Sequence, residues 1–278
     1  VVTALTALVI FGGITRIAKV AEMLVPFMAG IYLLVAFYVV ICNISLVPQM
    51  LADIVSSAFG MDAAIGGGIG AAMMQGIKRG LFSNEAGMGS APNVAATADV
   101  SHPVKQGLIQ TLGVFSDTLV ICTCTAFIIL FSGVPLGGEA NGVQLTQMAL
   151  DNEIGSGGST YVAIAILFFA FSSIIGNYYY GEANLRYITH NKAVMTIFRL
   201  MTGAMVMFGA LASLDLAWSL ADVCMGLMTI CNLIAIVLLG KYAFRLLDDY
   251  LEQKRQGIKN PTFTKDKMKD IEQDIECW

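Results

Sequence analysis

The sequence predicts an all-α membrane protein that crosses the bilayer several times. Of its 278 residues, 56% are hydrophobic and only 13% are charged, whereas soluble domains carry about 25% charged residues. Long uncharged runs match the roughly 20 helical residues that cross a bilayer core, and they lack the alternation of a membrane β-barrel. The net charge of −4 does not indicate a nucleic-acid partner. The expected environment is therefore a lipid bilayer.

The apolar runs predict about seven membrane spans in chain order. Residues 1–14 predict the end of a truncated first span, with Arg16 and Lys19 in a basic loop after it. Because the chain begins within an apolar run and lacks the features of a secretory signal, we expect it to be the carboxyl-terminal part of a longer protein. The other spans are expected at residues 23–42, 64–98, 107–131, 161–180, 193–212 and 216–239.

Shorter elements connect these spans. Residues 48–61 and 144–152 predict short helices outside the bilayer core. Pro103 is expected in the first turn of the helix that follows, where its missing donor costs little. Residues 1–250 are thus expected to form a transmembrane domain. Residues 251–278 are expected to form a charged, polar tail that is helical in part and solvated.

The loop charges predict an orientation in the cell membrane. Lysine and arginine collect in alternate loops, and acidic residues alone occupy the loops between them. By the positive-inside rule, residues 139–158 lie outside and the carboxyl tail is cytoplasmic. Lys78 and Arg79 interrupt this pattern, and either snorkelling or a water-filled vestibule would accommodate them.

The segment 64–98 is too long for one simple crossing, and residues 80–92 interrupt its helical pattern. Three glycines and Pro92 weaken a continuous helix there. The polar side chains between them are costly to expose to lipid. One interpretation is a discontinuous membrane helix whose interruption forms a binding site, and the other is a loop between two ordinary spans. The polar residues are Ser83, Asn84, Glu85 and Ser90.

A broken helix offers opposite partial charges to a ligand. Free amides at the start of one half-helix attract a carboxylate, and carbonyl groups at the end of the other attract an ammonium group or a sodium ion. A zwitterionic amino acid matches this arrangement. Glu85 is either charged, against an ammonium group or a cationic side chain, or protonated.

A second polar face lies in the span at residues 161–180. It is either a close helix-packing surface or a ligand-facing surface. In the second case, Ser172 and Ser173 offer neutral oxygens to an alkali cation, and Asn177 faces a ligand. The helical spacing places on one face the residues Ser172, Ser173, Gly176, Asn177 and Tyr180.

Other polar residues leave alternatives open. Asp222 shares a stripe with Gly226 and Thr229, and is either interfacial or a buried partner for a cation. Cysteines in apolar segments are expected to act as small hydrophobes, and no spacing predicts a metal site. We expect no cofactor.

Two other classes of function fit less well. An intramembrane serine protease would need a base beside Ser83 or Ser90, but His102 and His190 fall at predicted helix ends. A channel would need a polar lining on several spans, whereas the polar residues cluster in two segments.

Residues 80–92 (Gly-Leu-Phe-Ser-Asn-Glu-Ala-Gly-Met-Gly-Ser-Ala-Pro) closely resemble the signature of the alanine or glycine:cation symporter family, the sodium:alanine symporters. The resemblance implies a leucine-transporter-type fold of two inverted five-helix repeats, with the first and sixth helices broken. This chain would run from the end of helix four to helix ten, with residues 64–98 as the sixth helix and the first broken helix absent. Similar segments occur at residues 11–22, 24–27, 172–182 and 213–222.

The resemblance implies a transporter rather than an enzyme: a symporter that imports a small neutral amino acid, such as alanine or glycine, with sodium. Proton coupling through Glu85 is the alternative. Some family members have tryptophan at the position of Asn177, so a smaller residue there would also admit glutamine. Ser172 and Ser173 are implied to face sodium, and Ser173 and Asn177 to line the substrate site. The other implied substrate residues are Ser83, Asn84, Gly87, Met88 and Gly89.

Overall fold

The computed structural model of the chain describes residues 2–10, 14–59, 68–135 and 142–270. Every regular element within these ranges is helical, which confirms the predicted all-α class. The helices are α1 (Val2–Ile10), α2 (Ile14–Cys42), α3 (Val47–Phe59), α4 (Gly68–Asn84), α5 (Ala91–Ala95), α6 (Pro103–Phe131), α7 (Val143–Ile154), α8 (Gly158–Ile188), α9 (Lys192–Leu211) and α10 (Leu214–Arg255).

Among the described residues, five helices are long and apolar enough to cross a membrane. They are α6, α8, α9, α10 and the part of α2 from Glu22 to Cys42, and each contains one of the predicted spans, except that α9 ends one residue before the end of its span. Apolar side chains on α10 are uncovered, and Val237 is 79% exposed. Such side chains are suited to lipid rather than water, so these helices indicate a multi-pass membrane protein.

The predicted basic loop at Arg16 and Lys19 is wrong, because both residues lie in α2, which begins at Ile14. Arginine and lysine are good helix formers, and no glycine or proline follows until Pro26. Arg16 and Lys19 therefore lie in the first turns of a helix rather than in a loop. The predicted exit at residues 12–13 lies outside the described residues.

Residues 64–67 of the predicted segment 64–98 lie outside the described residues, and the elements after them are described. Helix α4 continues through Gly80 and ends at Asn84. Residues 85–90 then form turns before the short helix α5, and α6 begins at Pro103 as expected. Residues 117–122 form a π-helical turn within α6.

The chain divides into two compact units, of which the first comprises residues 1–80 and 117–220. Two apolar clusters hold it together. One joins α2, α6, α7 and α8 around the buried side chains of Ala36, Ile128 and Leu150. The other joins α1 to α8 around Ile10 and Ile175, with side chains of α2 and α9 packed against it.

Helices α7 and α8 meet closely in the first unit. A side chain at Gly158 would place its Cβ 2.5 Å from the Leu150 carbonyl carbon, so only glycine allows this approach. The carboxylate of Asp151 accepts hydrogen bonds from the backbone amide and the hydroxyl of Ser159. These bonds lower the pKa of Asp151 and satisfy a donor at the start of α8. The short helix expected at residues 144–152 therefore packs on the start of a predicted span.

The second unit comprises residues 81–116 and 221–278, and its tail differs from the prediction. Helix α10 continues to Arg255, far beyond residue 239. The chain then turns back, and Phe263 and Met268 are buried. The Phe263 amide donates to the Ser101 carbonyl at 2.8 Å, and the Ser101 hydroxyl donates to the Pro261 carbonyl at 2.9 Å. Pro261 and Phe263 thus hold the tail on the turn before α6, while most of residues 256–270 are exposed, as expected for a solvated tail.

Candidate functional site

The turn at residues 85–90, in the second unit, has a backbone that an α-helix cannot contain. Glu85 has a φ of 51°, Gly87 of 82° and Gly89 of 98°. Glycine adopts such values readily, whereas other residues do so at a cost. A glutamate in this conformation persists only where its surroundings hold it.

Side chains within the turn and in α5 hold the two ends of the turn. The Ser90 hydroxyl donates to Oε2 of Glu85 at 2.6 Å, which closes the turn. The Asn93 amide nitrogen lies 3.1 Å from the carbonyl oxygens of Gly89 and Ser90 and donates to them. Ser90 is only 3% exposed, so its hydroxyl and the Glu85 carboxylate satisfy each other in a covered position.

The middle of the turn is bound to α10 within the same unit. Nδ2 of Asn232 donates to the carbonyl oxygen of Gly87 at 2.9 Å. A Cβ on Gly89 would lie 3.0 Å from Cβ of Asn232. Met88, between the two glycines, is 6% exposed. The turn is therefore a packed structure against α10 rather than a water-exposed connector.

The predicted substrate residues of this segment differ in exposure. Met88 is buried, Ser83 is exposed, and the remaining ones are half-buried. Ser83 and Asn84 form the last residues of α4. The structure thus brings together, at the end of one helix and in the turn after it, Ser83, Asn84, Glu85, Gly87, Met88 and Gly89.

The predicted residues of α8 belong to the first unit. The Ser172 hydroxyl donates to the Phe169 carbonyl at 2.9 Å and lies 3.9 Å from the Met28 sulfur on α2. Ser173 and Asn177, one turn apart, are exposed. Ser172 therefore faces a neighbouring helix, while Ser173 and Asn177 share an open face.

Asn177 lines a cavity of about 650 Å³ between α8 and α9. Most of its lining is apolar and includes Phe198 and Met205. Thr202 also lines this cavity, but its hydroxyl donates to the Phe198 carbonyl of its own helix at 2.9 Å. Asn177 therefore brings an amide to a largely apolar cavity.

A buried ion-pair cluster joins α8 to α9, and the sequence patterns did not single it out. Glu182 is fully buried, and its Oε1 accepts hydrogen bonds from Arg186 at 2.6 Å and Arg199 at 3.4 Å. Nε of Arg199 also donates to the Tyr178 hydroxyl at 3.1 Å. Glu182 itself was the sequence signal for this cluster, because an acidic residue within a long apolar helix indicates a specific partner.

The structure shows the surroundings of Arg79 and Asp222, for which the sequence left two interpretations open. The guanidinium of Arg79 lies 4.3 Å from the ring centroid of Trp218, a cation–π contact that accommodates a charge near an apolar surface. Asp222 is half-buried. The Thr229 hydroxyl donates to the Met225 carbonyl of its own helix at 2.7 Å, so it is engaged within α10.

The chain matches the profile of a known protein family. Residues 1–265 match the sodium:alanine symporter family. The chain belongs to this family. The family predicted from residues 80–92 is thereby confirmed, and the match extends over nearly the whole chain.

Relatives of this sodium:alanine symporter family member have names that describe transport. The chain is 54% identical over 270 residues to the probable sodium/glutamine symporter GlnT of Bacillus subtilis, covering 97% of the chain and 56% of the relative. It is 51% identical over 263 residues to the amino-acid carrier protein AlsT of the same organism, covering 95% and 56%. It is 39% identical over 258 residues to the sodium/alanine symporter AgcS of Methanococcus maripaludis, covering 92% and 56%. The chain therefore spans little more than half the length of these relatives.

The sequence patterns did not identify Asn232 as a partner of the turn at residues 85–90. Asn232 is the only amide or charged side chain in residues 223–240, and an isolated polar residue in such a run indicates a specific partner. That signal identifies the residue but not the carbonyl of Gly87, which lies far away in the sequence.

Proposed function

We propose that the full-length protein imports a small neutral amino acid across the cell membrane together with sodium. The substrates are alanine or glycine, and also glutamine. The observation that carries the proposal is the packed turn between α4 and α5 in a chain of the sodium:alanine symporter family. Binding of sodium and of the amino acid favours the same conformation, and this coupling drives uptake.

The proposed architecture is of the leucine-transporter type, with α4, the turn and α5 as the interrupted sixth helix. The carbonyl end of α4 carries partial negative charge, which suits an ammonium group or sodium ion. Ser83 and Asn84 at that end add neutral oxygen atoms. In this arrangement the carboxyl tail is cytoplasmic, as the loop charges indicate.

The proposed substrate contacts of the second unit come from the turn residues. Gly87 and Gly89 let the backbone approach a small ligand, and Met88 supplies an apolar contact. In the first unit, Ser173 and Asn177 on the open face of α8 are also proposed as substrate contacts. The other predicted members of the substrate site are Ser83 and Asn84.

The proposed sodium ligands are the hydroxyl oxygens of Ser172 and Ser173. The Ser172 hydroxyl gives its proton to the Phe169 carbonyl, which leaves its oxygen lone pairs for a cation. Neutral oxygens of this kind suit a hard alkali cation. No further cofactor is needed.

The chemistry of Asn177 and the name of a relative both support glutamine as a further substrate. Asn177 is smaller than tryptophan and carries an amide that can pair with the amide of a glutamine side chain. A 54% identical relative has the name probable sodium/glutamine symporter. A pocket that lacks the tryptophan and carries one amide in a largely apolar lining therefore supports transport of glutamine beside alanine.

The second candidate is proton coupling through Glu85. One oxygen of Glu85 already accepts a hydrogen bond from the buried Ser90 hydroxyl at 2.6 Å. This bond supports a structural role for the carboxylate in closing the turn. Sodium coupling is therefore preferred.

The test is uptake of radiolabelled alanine and glutamine by the full-length protein in proteoliposomes. We expect saturable uptake driven by an inward sodium gradient and abolished when sodium is replaced at constant pH. A Glu85→Gln variant should still show sodium dependence if it folds. Uptake that follows a proton gradient without sodium would support the second candidate, and absence of uptake with either gradient would refute transport of these amino acids.

A further inference from the structure

Asn232 contacts the turn on both sides of Met88. Its amide nitrogen donates to the Gly87 carbonyl at 2.9 Å. Its Cβ and Cγ lie 3.0 Å and 3.2 Å from the position of a Cβ on Gly89. One side chain of α10 thus provides both a hydrogen bond and a steric surface to the middle of the turn.

The position of Asn232 in α10 makes this contact costly to lose. The flanking side chains are apolar, as in Leu233 and Ile234. A carboxamide in such a run has no water to pair with in a bilayer, so an unsatisfied amide there is unfavourable. The Gly87 carbonyl provides a partner for the amide nitrogen, and that bond in turn satisfies the carbonyl.

Within the turn, the Met88 amide donates to the Glu85 carbonyl at 3.3 Å, and two side chains bond near its ends. Ser90 bonds to Glu85, and Asn93 bonds to the carbonyls of Gly89 and Ser90. The central carbonyl of Gly87 receives its donor from α10 instead. Three backbone positions of the turn have positive φ values, so without an outside anchor the segment has other accessible conformations.

We propose that Asn232 is a positioning residue that fixes the backbone of residues 87–89 in the conformation that binds the amino acid. This inference rests on the proposed transport function, in which the turn contributes to the substrate site. A preorganised turn binds substrate without first losing conformational entropy. Asn232 therefore acts on substrate affinity more than on the maximal rate.

The first test compares two substitutions in α10 of the full-length protein. Asn232→Ala removes the donor to the turn, and we expect the KM for alanine to rise about tenfold while kcat changes less than about twofold. Thr229→Val is the matched control, since the Thr229 hydroxyl bonds within its own helix and should leave both constants unchanged. A KM for Asn232→Ala equal to that of the wild type, in a protein that transports, overturns the inference.

The second test separates hydrogen bonding from shape. Asn232→Asp keeps the size of the side chain, but only its protonated form can donate to the Gly87 carbonyl. The ordinary pKa of an aspartate is about 3.9 and burial raises it, so the ratio of its KM to the wild-type KM at the same pH should rise with pH between about 4 and 9. A ratio that stays constant over this range contradicts a donor role.

A third measurement does not depend on transport. Amide hydrogen exchange in residues 85–91 should be faster in Asn232→Ala than in the wild type or Thr229→Val, because the turn opens more often. Equal exchange overturns the anchoring role. If the wild-type protein takes up no amino acid, the proposed function fails, and exchange alone then decides whether Asn232 holds the turn.

Discussion

Arg199 of α9 donates from Nη2 to Oε1 of Glu182 in α8 at a distance of 3.4 Å. Glu182 is fully buried, whereas the Arg199 side chain is 21% exposed. Arg186, one turn further along α8, donates to the same oxygen from a side chain that is 50% exposed. The buried carboxylate therefore links two membrane helices, while its other partner lies near the surface.

The two ends of this cluster should contribute unequally to stability. Glu182→Gln removes the charge shared by two arginines, and breaking a buried pair costs about 3–5 kcal/mol. Arg186→Gln removes a half-exposed partner and should cost less, because Arg199 still pairs with the carboxylate. The free energy of unfolding can be measured in detergent by titration with SDS and circular dichroism. Equal losses for both variants would show that the buried carboxylate does not depend on Arg199.

His102 and Asp249 connect the turn before α6 to the end of α10, with Nε2 and Oδ2 3.3 Å apart. Burial lowers the pKa of His102, while Asp249 acts in the opposite direction. Lys267, in the tail, lies 3.0 Å from the other oxygen of Asp249. Tyr250 and Phe263 flank the imidazole ring. The site that holds the tail therefore favours a neutral histidine.

This environment predicts a loss of stability in acid. The unfolded chain protonates His102 near the ordinary histidine pKa of about 6.5, but the folded protein does so only at lower pH. Stability is therefore full above that value and falls as the pH drops below it. The melting temperature should decrease more between pH 7.5 and 5.5 in the wild type than in His102→Gln, whose side chain stays neutral. The same decrease in both proteins would exclude His102 as the cause.

The sequence was sufficient to predict features that depend on local patterns. Apolar run length located the long helices, and the glycines and Pro92 indicated where α4 would end. The length of α10 and the packing of the tail were not predictable from composition. The few apolar side chains of the tail, such as Phe263 and Met268, stand among charges, and their burial depends on contacts with the distant Ser101.

The contacts of the turn were also beyond local reasoning. A lone asparagine in an apolar run indicates a partner, but its pairing with Gly87 joins segments that are 145 residues apart. The same holds for Glu182 and Arg199, whose pairing depends on how α8 and α9 are packed. Helical spacing places Ser172, Ser173 and Asn177 on one face, but only the structure distinguishes the neighbour of Ser172 from the open side of Asn177.

The turn should not tolerate a side chain at Gly89. Gly89→Ala would force an L-residue to a φ of 98° and place its Cβ 3.0 Å from Asn232. Strain of this kind costs about 1–3 kcal/mol, so we expect sodium-driven alanine uptake to fall about tenfold or more. Gly76→Ala is the control, because Gly76 lies within α4 and its Cβ position has no described atom within 4 Å apart from its chain neighbours and the backbone of its own helix. Wild-type uptake by Gly89→Ala would show that the backbone at this position is not constrained during transport.

The cavity beside Asn177 allows a test of substrate size. Asn177→Trp would fill part of the volume of about 650 Å³ and remove the amide that can pair with glutamine. We therefore expect the KM for glutamine to rise about tenfold, a change of the size that pocket filling produces, while the KM for alanine changes less than about twofold. Thr202→Val changes another residue of the same cavity without altering its volume much, and it should leave both constants unchanged because the Thr202 hydroxyl bonds within α9. Competition between unlabelled glutamine and radiolabelled alanine gives the same comparison in one assay. If glutamine does not inhibit alanine uptake and Asn177→Trp changes nothing, Asn177 does not determine substrate size.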